Sequence, residues 1–192
     1  FIGIGDTIEF TAVCGFGHGI TRECTELLVW EAGSSAVGTI AAAGGVATFT
    51  AVAAGKTDVR ACLGSCDSAT IKSDPVAVTV LNKAKWTVLV YLDGDNDLDG
   101  SAVEDMNEME RIGSNDDVNI AAQIDRFDGS GNDGGNWTTT RRYFVTRDAD
   151  EKNINSTLVE ELGEADMADP DVLVDFVKWG MQRYPADRYA VV

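Results

Sequence analysis

Histidine occurs once in the 192 residues and proline three times, and residues 81–192 contain neither histidine nor cysteine. That stretch therefore has no thiol or imidazole for nucleophilic catalysis or for a Cys/His metal site. Basic residues are scarce too. The 15 Lys and Arg face 32 Asp and Glu, a net charge of −17, which matches neither a phosphate backbone nor an anionic membrane face and excludes nucleic acid as a partner. The longest strongly apolar stretch, Val88–Leu92, falls far short of the ~20 residues of a membrane helix, so insertion into a bilayer is excluded. No basic-then-apolar leader opens the chain, which starts Phe1-Ile2-Gly3 and closes inside the apolar run Tyr189-Ala190-Val191-Val192. The expectation is a processed or truncated piece of a longer protein. No solenoid-length repeat is visible.

What is present is distributed unevenly. Residues 1–80 carry 8 acidic and 4 basic side chains, net −4, whereas 81–192 carry 24 and 11, net −13. All four cysteines (Cys14, Cys24, Cys62, Cys66) and His18 lie in the first part, which is rich in Thr, Val, Ala and Gly. The polar link Leu81-Asn82-Lys83-Ala84-Lys85 separates a strand-like run from the next apolar run. Two domains are expected, 1–81 and 82–192.

The first domain predicts a β-sandwich. In Thr7–Cys14, Ile8, Phe10, Ala12 and Cys14 share one face at the period of a half-buried strand. Comparable runs at Leu27–Glu31, Val37–Ile40, Val46–Val52, Thr57–Cys62, Ala69–Lys72 and Val76–Val80 are separated by Gly, Ser and Asp turns, giving about seven short strands and no helix. The order of features resembles bacterial immunoglobulin-like domains. Gly5-Asp6-Thr7 opens a strand and Trp30 ends the third. Gly45-Val46-Ala47 and Val52-Ala53-Ala54-Gly55-Lys56-Thr57 precede the strand holding Arg60-Ala61-Cys62. The resemblance implies an all-β spacer or adhesive module of a cell-surface protein.

In that frame the four cysteines cluster at one end, and two chemistries fit them. Cys14-x3-His18-x5-Cys24 with Cys62-x3-Cys66 offers tetrahedral zinc ligands. In an acidic, β-rich extracellular chain the same even count gives two disulfides. An inter-sheet Cys14–Cys62 bridge conflicts with strand parity, since Cys62 follows Asp58 and Arg60 on the polar face. The disulfide reading therefore pairs Cys14 with Cys24 and Cys62 with Cys66. His18, between Gly17 and Gly19, is then an exposed loop residue.

The second domain follows α/β logic. Trp86–Leu92 is a continuous apolar run of the kind buried on both faces of a parallel sheet. An acidic loop leads into the capping-box start Ser101-Ala102-Val103-Glu104. Ala102, Met106, Met109 and Ile112 then lie at helical spacing before Gly113. Val118–Ile124 and Arg141–Val145 predict further strands. Asp169-Pro170 caps a helix whose stripe is Leu173, Phe176, Val177, Gly180, Met181 and Tyr184, and Arg188–Val192 begins another strand.

Several segments of this half resemble the N-terminal part of clostripain-family cysteine peptidases. They are Lys85–Tyr91, Asp95-Asn96-x-Leu98, Asp105–Glu110, Gln123-Ile124-Asp125-Arg126, Asn155-Ser156, Glu161–Glu164, Asp169-Pro170, Asp175–Trp179 and Tyr184-Pro185-Ala186-x-x-Tyr189, in order across residues 85–192. The resemblance implies a truncated caspase-like α/β domain with a mainly parallel sheet. It also implies a Cys/His dyad that cuts peptides after basic residues. The family's dyad lies beyond the matched positions, so no catalytic residue carries over.

One candidate metal site stands inside that match. Asp95-x-Asp97-x-Asp99-Gly100 reproduces the first half of a calcium loop, with Met106 in place of the closing glutamate. The competing reading is a solvated acidic loop capping the next helix, and Asp93 fits either. Asp128-x-Ser130-x-Asn132 suits turn chemistry, and Asp125-Arg126 suits an ion pair within its loop.

Two functions stay open. One is a secreted or cell-surface peptidase acting on protein or peptide substrates through the remainder of its domain. The other is a non-catalytic extracellular scaffold or adhesive protein, pairing with copies of itself or with the rest of its parent chain.

Overall fold

The computed structural model describes residues 1–16, 18–127 and 134–192. The chain divides into two units, Phe1–Lys83 and Ala84–Val192. That division falls two residues after the expected domain boundary. The motif Asp128-x-Ser130-x-Asn132 lies outside the described residues. Among the described residues no helix is long and apolar enough to cross a membrane.

The first unit contains β1 (Ile2–Gly3), β2 (Thr7–Phe10), β3 (Val13–Phe16), β4 (Ile20–Glu23), β5 (Val29–Ala32), β6 (Gly38–Ala43), β7 (Val46–Ala51), β8 (Gly55–Cys62) and β9 (Val76–Leu81). They form a sheet ordered β1-β9-β8-β5, a second ordered β2-β7-β6, and the hairpin β3-β4. Inward-facing residues of the two larger sheets meet in one core: Phe49 and Ala51 from β7 against Val59 of β8 and Val78 and Val80 of β9. Ile8, Phe10 and Trp30 pack around it.

The structure departs from the sequence expectation at several places, Ile2–Gly3 and Ile20–Glu23 being strands that were not expected. The predicted strand Thr7–Cys14 breaks after Phe10, because the Ala12 N–H donates to the buried Thr25 hydroxyl at 2.8 Å. The Ala12 carbonyl accepts from Cys24, which carries the chain out of the β2-β7 ladder and into the hairpin. Residues 69–72 contribute only an isolated bridge between Lys72 and Cys62. Thr25–Leu27 is a turn of 3₁₀ helix where none was expected.

Cys14 is bonded to Cys24 and Cys62 to Cys66. No described cysteine is free, so the thiolate-zinc alternative falls. Cys62 is fully buried despite its polar parity, since it ends β8 and its sulfur is tied to Cys66. His18 is exposed, with a positive φ of 57°.

The second unit runs β10 (Ala84–Gly94), α1 (Asp99–Glu110), β11 (Val118–Arg126), β12 (Thr140–Phe144), β13 (Thr157–Gly163), α2 (Pro170–Arg183) and β14 (Ala186–Val191). The sheet order is β13-β12-β11-β10-β14. β10 pairs in parallel with both β11 and β14, while β12 and β13 are added antiparallel. The mainly parallel sheet expected is thus three parallel strands with an antiparallel pair at one edge.

Helices cover both faces of this sheet, and the alternation of β10 shows why its apolar run is continuous. Val90 points into a core with Ala102 and Met106 of α1, Ala122, Ile124, Tyr143 and Val145. Its neighbour Leu89 points the other way, onto Ala121 and Phe176 of α2. Period-2 alternation feeding two apolar layers leaves no polar face.

The helix ends differ in how well their residues announced them. α2 is capped as expected: Asp169 Oδ1 accepts from the Asp171 N–H at 2.9 Å, and Pro170 occupies the first turn. Met181, placed on the buried stripe, is instead exposed. α1 starts at Asp99, two residues before the expected capping box, with Leu98 at the cap position and no side-chain cap. Gly113, at φ 68°, donates its N–H to the Met109 carbonyl, a left-handed stop that leaves Ile112 exposed and off the helical stripe.

Candidate functional site

In open α/β sheets, ligands gather outside the carboxyl ends of the parallel strands, where loops diverge from rigid backbone. Here the parallel register places Asp93 beside Asp125 and Gly94 beside Arg126 at the ends of β10 and β11. Asp125 and Arg126 are consecutive in a strand, so their side chains leave on opposite faces. The expected ion pair between them does not form.

Arg126 turns toward α1. Its Nε and Nη2 donate to the two carboxylate oxygens of Asp99, each at 2.8 Å, and its Nη1 donates to the Gly135 carbonyl at 2.8 Å. Both partners of the pair are buried. The guanidinium of Arg126 also lies 5.1 Å from the ring centroid of Trp137, which Arg141 approaches to 4.5 Å. These contacts tie the segment around 134–137 to the end of β11.

Asp125 turns toward the opposite face and is 1% exposed. Its Oδ1 accepts from the Arg126 N–H at 3.1 Å. Burial pushes its carboxyl up to about 6, helped by the charges of Glu164 and Asp95 and opposed by the polar groups of Thr140 and the Arg126 backbone. Tyr91, whose hydroxyl donates to the Met167 carbonyl, is also raised, by desolvation first and then by Asp93, Asp125, Asp166 and Asp169. Negative potential is therefore concentrated along this edge.

Asp95, Asp125 and Glu164 bring carboxylate oxygens within 4.8 Å of one another. Glu164 arrives through the antiparallel pair β12-β13, where Thr140 lies opposite Gly163, and the Ala165 N–H donates to the Thr140 hydroxyl at 3.1 Å. Of the expected calcium ligands Asp95, Asp97 and Asp99, only Asp95 belongs to this group. Asp97 is exposed and outside it. Asp99 has both oxygens engaged by Arg126, because it sits in the first turn of α1 rather than in a loop wrapped round an ion. The carboxylates gathered at this edge are thus Asp95, Asp125 and Glu164. Calcium binds oxygen at about 2.3–2.6 Å, so three oxygens on one ion span no more than about 5 Å, and this group fits. Sequence spacing did not point to Glu164, which lies 39 residues beyond Asp125.

The second unit has no thiol or imidazole, and the described cysteines of the first unit are all in disulfides. No nucleophile-base pair of the Cys/His kind is therefore formed among these residues.

Comparison with known proteins places residues 90–192 in a match to the clostripain family. Clostripain of Hathewaya histolytica is 30% identical over 119 residues, covering 56% of this chain and 22% of that protein. The chain thus spans about a fifth of that relative's length. Among solved structures, a B. fragilis cysteine protease aligns at 24% identity with a TM-score of 0.45, over 56% of this chain and 85% of that one. A clostripain from Bacteroides thetaiotaomicron, in complex with a peptide inhibitor, aligns at 12% identity and TM-score 0.43, over 57% and 88%. A secreted C11 cysteine protease of the same species, in complex with an irreversible peptide inhibitor, gives 27% and 0.41, over 56% and 28%.

Proposed function

The chain belongs to the clostripain family, and from that membership we propose that its second unit is the opening part of the catalytic domain of a secreted or cell-surface cysteine endopeptidase that cleaves after basic residues. The observation that carries this is the family match over 90–192, which falls on the parallel unit β10–α1–β11 and its flanking α2 and β14. In this proposal the domain is caspase-like, and the first unit is an immunoglobulin-like module that holds it at a surface. Two disulfides in an acidic β-rich unit support the extracellular setting.

Catalysis in this class needs a thiolate to attack the scissile carbonyl and an imidazole to carry the proton. With neither residue type in 84–192, the proposal assigns both to other parts of the parent protein. The strands of this chain supply the platform, and its net charge of −17 favours encounter with a cationic peptide. We propose calcium at Asp95, Asp125 and Glu164, where it would neutralise the clustered carboxylates and hold the ends of β10, β11 and β13 together.

A second reading is that the two units form a non-catalytic extracellular scaffold. One experiment separates the two. The 192-residue chain and the full parent gene product are each incubated with an arginyl fluorogenic peptide and an arginyl chloromethyl ketone. Turnover and covalent labelling by the parent alone support the peptidase. An inert parent supports the scaffold, and turnover by the 192-residue chain that is lost on substituting one of its own Cys or His residues overturns the assignment of the dyad.

A further inference from the structure

The first unit carries an apolar groove that the peptidase reading does not use. It measures about 480 Å³ and is lined by Val13 and Phe16 of β3 together with Leu27, Leu63 and Ile71, with Lys72 as its one charged lining residue among those described. The five large apolar residues among these are between 49% and 70% exposed, so water covers them in the isolated chain. The disulfides Cys14–Cys24 and Cys62–Cys66 pin the segments that bear them. The groove is therefore preformed, and little ordering is needed to fill it.

Among the described strands β3 pairs with β4 alone, which leaves its other edge without a strand partner. Exposed edges are ordinarily protected by charge, proline or a bulge. The segment Val13-Cys14-Gly15-Phe16 has no charged residue and no proline. The partner strand β4 differs, carrying Arg22 and Glu23, and β5 carries Glu31, while the edge strand β6 is likewise without charge or proline but does not line the groove.

We propose that the β3 edge and its groove dock a second copy of this chain, in an antiparallel two-fold pairing of β3 with β3. The symmetry sets like residues opposite each other at the axis, Gly15 of one copy beside Gly15 of the other with Cys14 beside Phe16 on either side, and no like charges are opposed along the shared edge. Area supports the same occupant. At roughly 150–200 Å² for a fully exposed large apolar residue, the five amount to about 500 Å² per copy. Twice that is close to the ~1,000 Å² at which specific association begins, so the dimer is weak and reversible. Residues 1–80 contribute only −4 of the −17 charge, and the long-range repulsion that remains is screened beyond about 8–10 Å at physiological salt. Added salt therefore strengthens this dimer.

Sedimentation equilibrium of the 192-residue chain from about 1 to 300 µM tests the proposal. The expected result is a monomer-dimer equilibrium with a micromolar Kd that tightens between about 0.05 and 0.5 M sodium chloride. Val13→Lys and Phe16→Lys, at exposed positions, each weaken it at least about tenfold, while Glu23→Lys on the far edge of the hairpin changes it less than about twofold. Circular dichroism and melting of each variant establish that the fold is kept. A monomer at every concentration overturns the proposal and leaves the groove to a different chain. A dimer indifferent to both β3 substitutions overturns it as well.

Discussion

Arg126 holds Asp99 in a two-pronged grip, with Nε to Oδ1 and Nη2 to Oδ2 both at 2.8 Å. The planar guanidinium matches the carboxylate, so two charge-assisted hydrogen bonds form in one geometry. One residue ends β11 and the other opens α1. The pair therefore fixes where the helix starts relative to the sheet, and the carboxylate also lies at the positive end of the helix dipole. Both charges are withdrawn from water, where paired hydrogen bonds to an ion count for most.

Removing one partner strips a buried charge of its two-pronged hydrogen bonds. Asp99→Ala is expected to cost the second unit about 3–5 kcal/mol. Asp97→Ala, at an exposed position, should stay within about 0.5 kcal/mol. Urea and thermal melts of both variants check this. A loss below about 1 kcal/mol for Asp99→Ala would mean the fork does not hold the helix.

That pair also shows what spacing alone could and could not convey. Asp95-x-Asp97-x-Asp99 has the alternation of a calcium loop, but its last member is claimed by an arginine 27 residues away, a contact without local signature. The strand β10 was legible because a long apolar run has few other destinations, and α2 because Asp169-Pro170 is a strong start signal. The pairing of the cysteines was legible because parity disfavoured the long bridge. β13 was missed because most of Thr157–Gly163 is exposed and shows no alternation, so nothing marked it as a strand. Glu164 went unnoticed with it, since its place beside Asp125 depends on β12-β13 pairing.

Close packing under α2 gives a second prediction. A Cβ built on Gly180 would collide with the side chain of Leu89, which is fully buried and cannot swing away. Gly180→Ala gains up to about 1 kcal/mol in helix propensity and loses about 1–3 kcal/mol to overpacking. A net loss of stability is expected, measured by urea denaturation. In a Leu89→Ala background the same change should become neutral or stabilising, because the obstructing methyls are gone. Stabilisation in the unmodified chain would contradict the packing of α2 on β10.

Glu110 gives a pH dependence with a defined sign. It is fully buried, and its Oε1 accepts from the Ser156 N–H at 2.5 Å. Desolvation raises its carboxyl above the ordinary value of 4.5, with the Asp148 charge adding and hydrogen bonds from Ser156 and Asn155 opposing. A pKa higher in the folded than in the unfolded state gives stability that is full below about 4.5 and is lost as pH rises through the folded value. Glu110→Gln keeps the acceptor and removes the titration. The melting temperature of the variant relative to the parent should therefore rise as pH increases from about 4.5 toward neutrality. Parallel profiles would show that the group is not held neutral by its surroundings.

The calcium proposal predicts which carboxylates matter. Three hard oxygen donors without the bidentate glutamate of a full calcium loop imply weak binding, near the 10⁻⁴ to 10⁻³ M of extracellular modules to order of magnitude. At about 10 mM calcium and a Kd near 1 mM, mass action adds roughly 1.4 kcal/mol to stability. For a unit of this size that is a rise of several degrees in melting temperature. Glu164→Gln and Asp95→Asn, both at exposed positions, should abolish the rise, and Asp97→Asn should keep it. Magnesium at the same concentration should give less, because its smaller, near-octahedral shell fits a loose carboxylate group poorly. Differential scanning fluorimetry with calcium, magnesium or chelator separates the outcomes. Loss of the shift in Asp97→Asn with retention in Glu164→Gln would restore the loop that the spacing first suggested. No shift in the unmodified chain would leave the cluster as an acidic edge that attracts cations without holding one.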